Sequence, residues 1–106
     1  EGDDATAVWG REFGWQAFRR GAWDEAAAGF RAAAEKFYRR GEWRLQAHSL
    51  LLLGLTQKTV GQFPDAWHDA RRLYAYLRDT AEVENLDRRI AGEEVPVPPW
   101  PPTARA

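Results

Sequence analysis

The sequence predicts an all-α fold: two antiparallel helix hairpins, a C-terminal capping helix and an extended proline-rich tail. Three observations predict it. A glycine followed two residues later by an aromatic recurs every 20 residues, at Gly21-Ala22-Trp23, Gly41-Glu42-Trp43 and Gly61-Gln62-Phe63. Between these beats the apolar residues fall at helical spacing and nowhere alternate as a half-buried strand would. Beyond Gly92 the segment Val95-Pro96-Val97-Pro98-Pro99-Trp100-Pro101-Pro102 bars a helix and dictates an extended polyproline II ribbon.

The beat reads as a helix stop. Glycine enters the left-handed conformation that ends a helix at little steric cost. Basic residues precede each glycine (Arg19-Arg20, Arg39-Arg40, Lys58), where the negative end of the helix dipole favours them. The aromatic that follows is placed to pin the next helix against the last.

Residues 1–5 are acidic, with Asp3, Asp4 or Thr6 available to cap a first helix over about 7–20. Trp9, Phe13 and Ala17 share one face of it at i, i+4 and i+8, beside Gly14. A second helix over about 24–39 carries Ala26, Ala27, Phe30, Ala33, Ala34 and Phe37, small enough in sum to allow close approach of neighbouring axes. A third, about 42–59, is expected to bury Trp43, Ala47, Leu50, Leu51 and Gly54; it is apolar nearly all round from Leu50 to Leu55, which marks the central helix. A fourth starts at Pro64, a favoured first-turn residue, and shows Ala66, Trp67, Ala70, Leu73, Tyr74 and Leu77. A fifth, about 81–91, has Thr80 as its expected cap and Gly92 as its stop. Its thin stripe of Val83, Leu86 and Ile90 suits one neighbour. The domain thus spans 1–92 and the tail 93–106.

A chain of 106 residues suits one domain. Its net charge of -1 gives no general drive toward nucleic acid or an anionic membrane. The arginine pairs at 19–20, 39–40, 71–72 and 88–89 lie among dispersed acids, and three of the four fit helix ends, so surface ion pairs are the reading over a phosphate footprint. No apolar run approaches the roughly 20 residues of a membrane span. The absence of cysteine excludes a disulfide framework and thiolate metal sites, and with it goes the expectation of a reducing, cytoplasmic setting. Because the chain begins at Glu1, removal of a preceding targeting segment is compatible with it.

No constellation supports chemistry. There is no Ser-His-Asp order with a nucleophile elbow, no glycine-rich phosphate loop after a strand and no Glu-x-x-His pair. His48 and His68 fall at different places in their helix pairs without a carboxylate cluster. No catalytic residue, cofactor or metal is therefore assigned, and the protein is expected to be non-enzymatic.

A second order appears at an offset of 40: Phe13-Gly14 matches Leu53-Gly54, Gly21 and Trp23 match Gly61 and Phe63, Ala26 matches Ala66, and Ala33 matches Leu73. On these residues the stretch from about 7 to 80 resembles the tetratricopeptide repeat, with copies at about 7–40 and 43–80. It departs from that pattern at Gly10, Ala70 and Arg78, and its offset exceeds the common repeat of about 34, so helices two and three are expected to be long.

The resemblance implies a groove lined by the first helix of each pair. That face holds Val8, Arg11, Trp15, Phe18 and Arg19 from helix one, and His48, Leu51 or Leu52, Leu55, Lys58 and Thr59 from helix three. Independently, Trp15 and Phe18 lie off the Trp9-Phe13-Ala17 stripe, giving helix one more aromatic surface than one neighbour covers; aromatics beside arginines are a frequent hot-spot composition. Two readings stand for that surface: a protein or peptide partner, or cover by the chain's own tail or fifth helix. Trp100 among prolines likewise reads as a ligand for another protein or as a strap packed in cis or from a neighbouring copy. The function expected is a protein-interaction module (adaptor, scaffold, chaperone or assembly factor) with Arg11, Trp15, Phe18, Arg19, His48, Leu52, Leu55, Lys58 and Trp100 in contact with a protein or peptide. The rival is a self-associating module, a homo-oligomer whose groove is filled by its own tail or a second copy.

Overall fold

The computed structural model describes residues 12–97, which form five helical segments and, among those residues, no strand. The first, α1, is described over 12–19. It is followed by α2 (Trp23–Arg39), α3 (Trp43–Thr59), α4 (Asp65–Tyr76) and α5 (Thr80–Ile90).

One turn ends every helix. At the end of α2, Gly41 N–H donates to the Tyr38 carbonyl at 3.1 Å and Glu42 N–H to that of Phe37 at 3.0 Å. This pair of bonds satisfies carbonyls that the helix ladder leaves open, and it requires a left-handed residue between its two donors. The same two bonds recur from Gly21 and Ala22, Gly61 and Gln62, Arg78 and Asp79, and Gly92 and Glu93. The left-handed residue is glycine in four cases, with φ from 71° at Gly41 to 100° at Gly92, and Arg78 at φ 60° in the fifth. The stop at Arg78 was not legible in the sequence, because nothing in an arginine marks a left-handed position.

The aromatics behave as expected at two of the three beats. Phe18 meets Trp23 edge-on at 5.2 Å, and Tyr38 meets Trp43 at 6.0 Å, each pair bridging a turn. At the third, Phe63 is 67% exposed and stacks only on His68. Pro64 is the cause: the residue before a proline is pushed out of helical conformation, so Phe63 cannot open a helix and α4 begins at Asp65. Gln57 compensates by accepting from Ala66 N–H at 3.2 Å, an orphan donor of the first turn of α4.

Consecutive helices pack on one another from α2 to α5. Gln57 near the end of α3 meets Ala66 near the start of α4, while Arg44 near the start of α3 meets Asp79 just past α4, so α3 and α4 run antiparallel. Helix α3 is central, touching both α2 and α4. Its buried residues (Ala47, His48, Ser49, Leu51, Leu52, Leu53, Gly54 and Thr56) surround its axis, whereas Trp43 and Leu50, expected inside, are half-buried. Its hydroxyls are satisfied locally: Ser49 Oγ donates to Leu45 O and Thr56 Oγ1 to Leu52 O, both at 2.9 Å.

Glycine also sets the closest helix approaches. A Cβ on Gly14 would lie 3.0 Å from Phe30 Cε1, and one on Gly54 would lie 2.6 Å from Trp67 Nε1 and 2.8 Å from its Cγ. The Trp67 indole lies across that gap and its Nε1–H donates to Leu51 O at 2.9 Å, tying α4 to the backbone of α3. Ala26, Ala33 and Ala66, expected at crossings, are buried. At the 40-residue offset the partner of the glycine has moved one turn: Ala27 and Phe30 in the first pair stand where Trp67 and Ala70 stand in the second.

Helix α5 departs from the expected stripe. Its buried residues are Glu82, Leu86 and Arg89, while Val83 is half-buried and Ile90 exposed. Its cap is Asp79, whose carboxylate accepts from Glu82 N–H at 3.2 Å; Thr80, the expected cap, is the first helical residue. Asp79 wins because the same buried carboxylate also accepts from Arg44 Nη1 at 2.6 Å, anchoring the start of α5 to the start of α3.

Two sets of substitutions test this account by chemical denaturation. Arg78→Gly should stabilise the protein by about 0.5–1 kcal/mol by relieving a left-handed L-residue, while Gly41→Ala, which meets open space, should cost about 1 kcal/mol for conformation alone. Gly54→Ala must push the Trp67 ring off α3 and should cost roughly 1–3 kcal/mol or more, well beyond Gly41→Ala.

Candidate functional site

The residues assigned to a partner groove divide into three groups. His48 and Leu52 are buried, each 1% exposed, and serve the packing of α3 rather than an open surface. They point inward because α3 has neighbours on opposite sides, so a face that would be open on an outer helix is covered here. Trp15 and Phe18 stack in parallel at 5.6 Å with 4° between their planes, half-buried against the main core, and Arg19 beside them is exposed. Arg11 and Trp100, with Val8, lie outside the described residues.

Leu55, Lys58 and Thr59 do come together, on the last turns of α3, where they form one wall of a cavity of about 410 Å³. Its floor includes the edge of Trp67, with the Lys58 ammonium 5.7 Å from the ring centroid, in reach of the π face. Arg89 closes the far side, and Glu93, Glu94, Val95 and Val97 supply the roof. The first tail residues therefore turn back from α5 onto the end of α3.

Arg89 holds that return. Only 4% exposed, it donates from Nη2 to the Pro96 carbonyl at 2.6 Å, and its Nε has no partner among the described residues. Burial lowers its pKa, while the charge of Glu82 on the same face of α5 opposes the shift. An arginine pays less desolvation than a lysine in such a place, so it stays cationic and offers a planar fork to carbonyl or carboxylate oxygens. At the outer edge Arg88 binds Glu93 at 2.9 Å, guiding the chain into the return.

Arg89, Glu82 and Trp67 were not among the residues assigned from the sequence. Trp67 read as one more core aromatic. Arg89 read as half of a helix-end arginine pair. A usable signal was present: Glu82, Leu86 and Arg89 stand at i, i+4 and i+7, opposite charges flanking a leucine on one face.

The other paired arginines carry their charge locally. Arg20 binds Glu25, Arg39 binds Glu35, Arg40 binds Glu42 and Arg72 binds Asp69, all near the surface where such pairs stabilise little. Arg71 is different in geometry: its Nε and Nη2 reach both Asp87 oxygens at 2.5 and 3.1 Å, clamping α5 to α4 and so placing Arg89. Among the described residues no group of three or more His, Cys, Asp or Glu side chains is placed to hold a metal, and no helix is long and apolar enough to cross a membrane. Comparison with protein-family models, curated proteins and solved structures finds no match.

The clamp has a pH consequence. The hydrogen bond from Arg71 holds the Asp87 carboxyl below its ordinary value of 3.8. A lowered acid contributes its stabilisation above that ordinary value and loses it as pH falls through the folded one. In an NMR titration of the carboxyl carbon, Arg71→Gln should move the Asp87 midpoint up toward 3.8. An unmoved midpoint would mean that the clamp does not persist in solution.

Proposed function

We propose that the chain is a non-enzymatic, tetratricopeptide-like helical-repeat module: α1 and α2 as one antiparallel hairpin, α3 and α4 as a second, α5 as the cap, and the proline-rich tail as an extended ribbon. Its function is to bind a protein or peptide segment as an adaptor, scaffold or assembly factor. The observation that carries this reading is the cavity at the end of α3, where an aliphatic residue, a cation and a hydroxyl from one helix meet the edge of a buried indole. That lining joins apolar side chains to charges of both signs, a mixture that an extended peptide segment can match. The repeated turn at a 20-residue interval and the glycines against Phe30 and Trp67, at the α1–α2 and α3–α4 contacts, support the repeat assignment. The stacked Trp15 and Phe18 beside exposed Arg19 offer a second contact area for the same partner.

The rival reading, a groove filled by the chain's own tail, is favoured by the Arg89–Pro96 contact. Selection of a random peptide library against the full chain tests the first. Enriched peptides should bind the parent, and Lys58→Glu and Thr59→Arg, both at exposed positions, should weaken them about tenfold, or 1.4 kcal/mol, without changing the melting temperature. Failure to enrich any binder, or binders indifferent to both changes, would remove the groove from the partner site.

A further inference from the structure

We propose that the cavity between the end of α3, Trp67 and Arg89 is a recognition site for extended Val-Pro-Val-type ribbons, occupied in cis by residues 93–97 and opened when a better-fitting ribbon displaces them. This rests on the reading of the Leu55–Lys58 face as a partner site and names the ligand class that it takes.

Three observations converge on it. The first is the mode of contact. Arg89 donates to a backbone carbonyl, that of Pro96, so it reads main chain rather than a particular side chain. A proline-bearing ribbon suits such a donor: it makes no internal hydrogen bonds, and its carbonyls stand free along its length. The second is the run of side chains that the ribbon sets against the site. Glu93, Glu94, Val95 and Val97 all line the cavity, so the ribbon sets an acidic pair and two valines against it in that order. The third is the poor fit of the occupant. The pocket that the ribbon helps to line still measures about 410 Å³, and Val97 is left 37% exposed. The two valines leave that space unfilled.

The poor fit gives the device its sense. A tethered segment competes at an effective concentration on the order of millimolar, which would exclude an external ribbon of equal intrinsic affinity. A strap that leaves the cavity unfilled is displaced by a ribbon carrying a larger apolar side chain at the position of Val97. The free Nε–H of buried Arg89 gives such a ligand a further donor. Glu93 and Glu94 line the same cavity as Lys58 and Arg89, which favours a ribbon with acidic residues ahead of its valines, as the strap itself has.

The test uses full-length chains and a fluorescent probe peptide of sequence 93–102. The parent is compared with the double variant Val95→Ser, Val97→Ser, whose strap has lost its apolar handles. The probe should bind the double variant at least tenfold more tightly than the parent, and a probe with Phe in place of Val97 should bind both chains more tightly than the unmodified one. A scrambled probe should bind neither. Arg89→Lys in the double-variant background should weaken the probe about tenfold while circular dichroism shows the helices retained. Should that variant unfold, an N-methylated probe that adds bulk along the ribbon backbone serves instead and should bind more weakly. Equal binding of the probe to parent and double variant, no binding to either, or equal binding of the scrambled probe overturns the proposal. So does light scattering showing that the parent is a dimer whose partner the double variant lacks, since the strap would then be exchanged between copies. These readouts need no external partner. A probe that binds only the opened chain, with no library peptide enriched, would keep this inference and remove the proposed adaptor role; library binders that ignore the strap would do the reverse.

Discussion

Each helix of this protein ends where one residue takes a left-handed conformation, and the rest of the architecture depends on that constraint. The turn closes two hydrogen bonds onto carbonyls that would otherwise lack partners, and it reverses the chain within a few residues. Where only residues 40–42 connect two helices, the following helix has little choice but to lie back along its predecessor. Helices α2 and α3 are both 17 residues long because the stops are 20 apart. Equal lengths let Phe18 and Tyr38, at equivalent places in their helices, each meet the tryptophan beyond the turn.

Within that frame the central helix pays for its position with specificity of packing. An α3 covered from both sides has no room for a side chain at Gly54, and Trp67 takes the space and bonds to Leu51 O. The indole is thereby fixed at one edge of the cavity, held by the core on one side and presented to the tail on the other. Core and cavity share this residue, so one wall of the cavity follows from the helix crossing and the other from the return of the tail.

Helix α5 shows how charge is used where apolar residues are scarce. Arg44–Asp79 at one end and Arg71–Asp87 along the side fix α5 in place, and the buried face it presents carries Glu82 and Arg89 around Leu86. Burying Arg89 is costly unless it finds partners, and the partner it finds is a carbonyl of the tail. The return of residues 93–97 is thus a consequence of where α5 docks.

The sequence by itself determined the helices, their order and most of their ends, because these rest on local physics: helical spacing of apolar residues, glycine where a left-handed residue is required, proline where a helix is barred. It also marked α3 as central, since a helix apolar on all sides must be covered on all sides. It did not disclose the stop at Arg78, where surrounding structure holds an L-residue in a conformation that its type disfavours. Nor did it separate His48 and Leu52, which went inside, from Leu55 and Lys58, which reached a surface, because the four share a face of α3 and only the neighbours decide where along it the cover ends. The choice of Glu82 and Arg89 over Val83 and Ile90 as the inner face of α5 was likewise tertiary. A rotation of one residue changes the hydrophobic face little in a thin stripe, and ion pairs to α3 and α4 with one carbonyl from the tail set it.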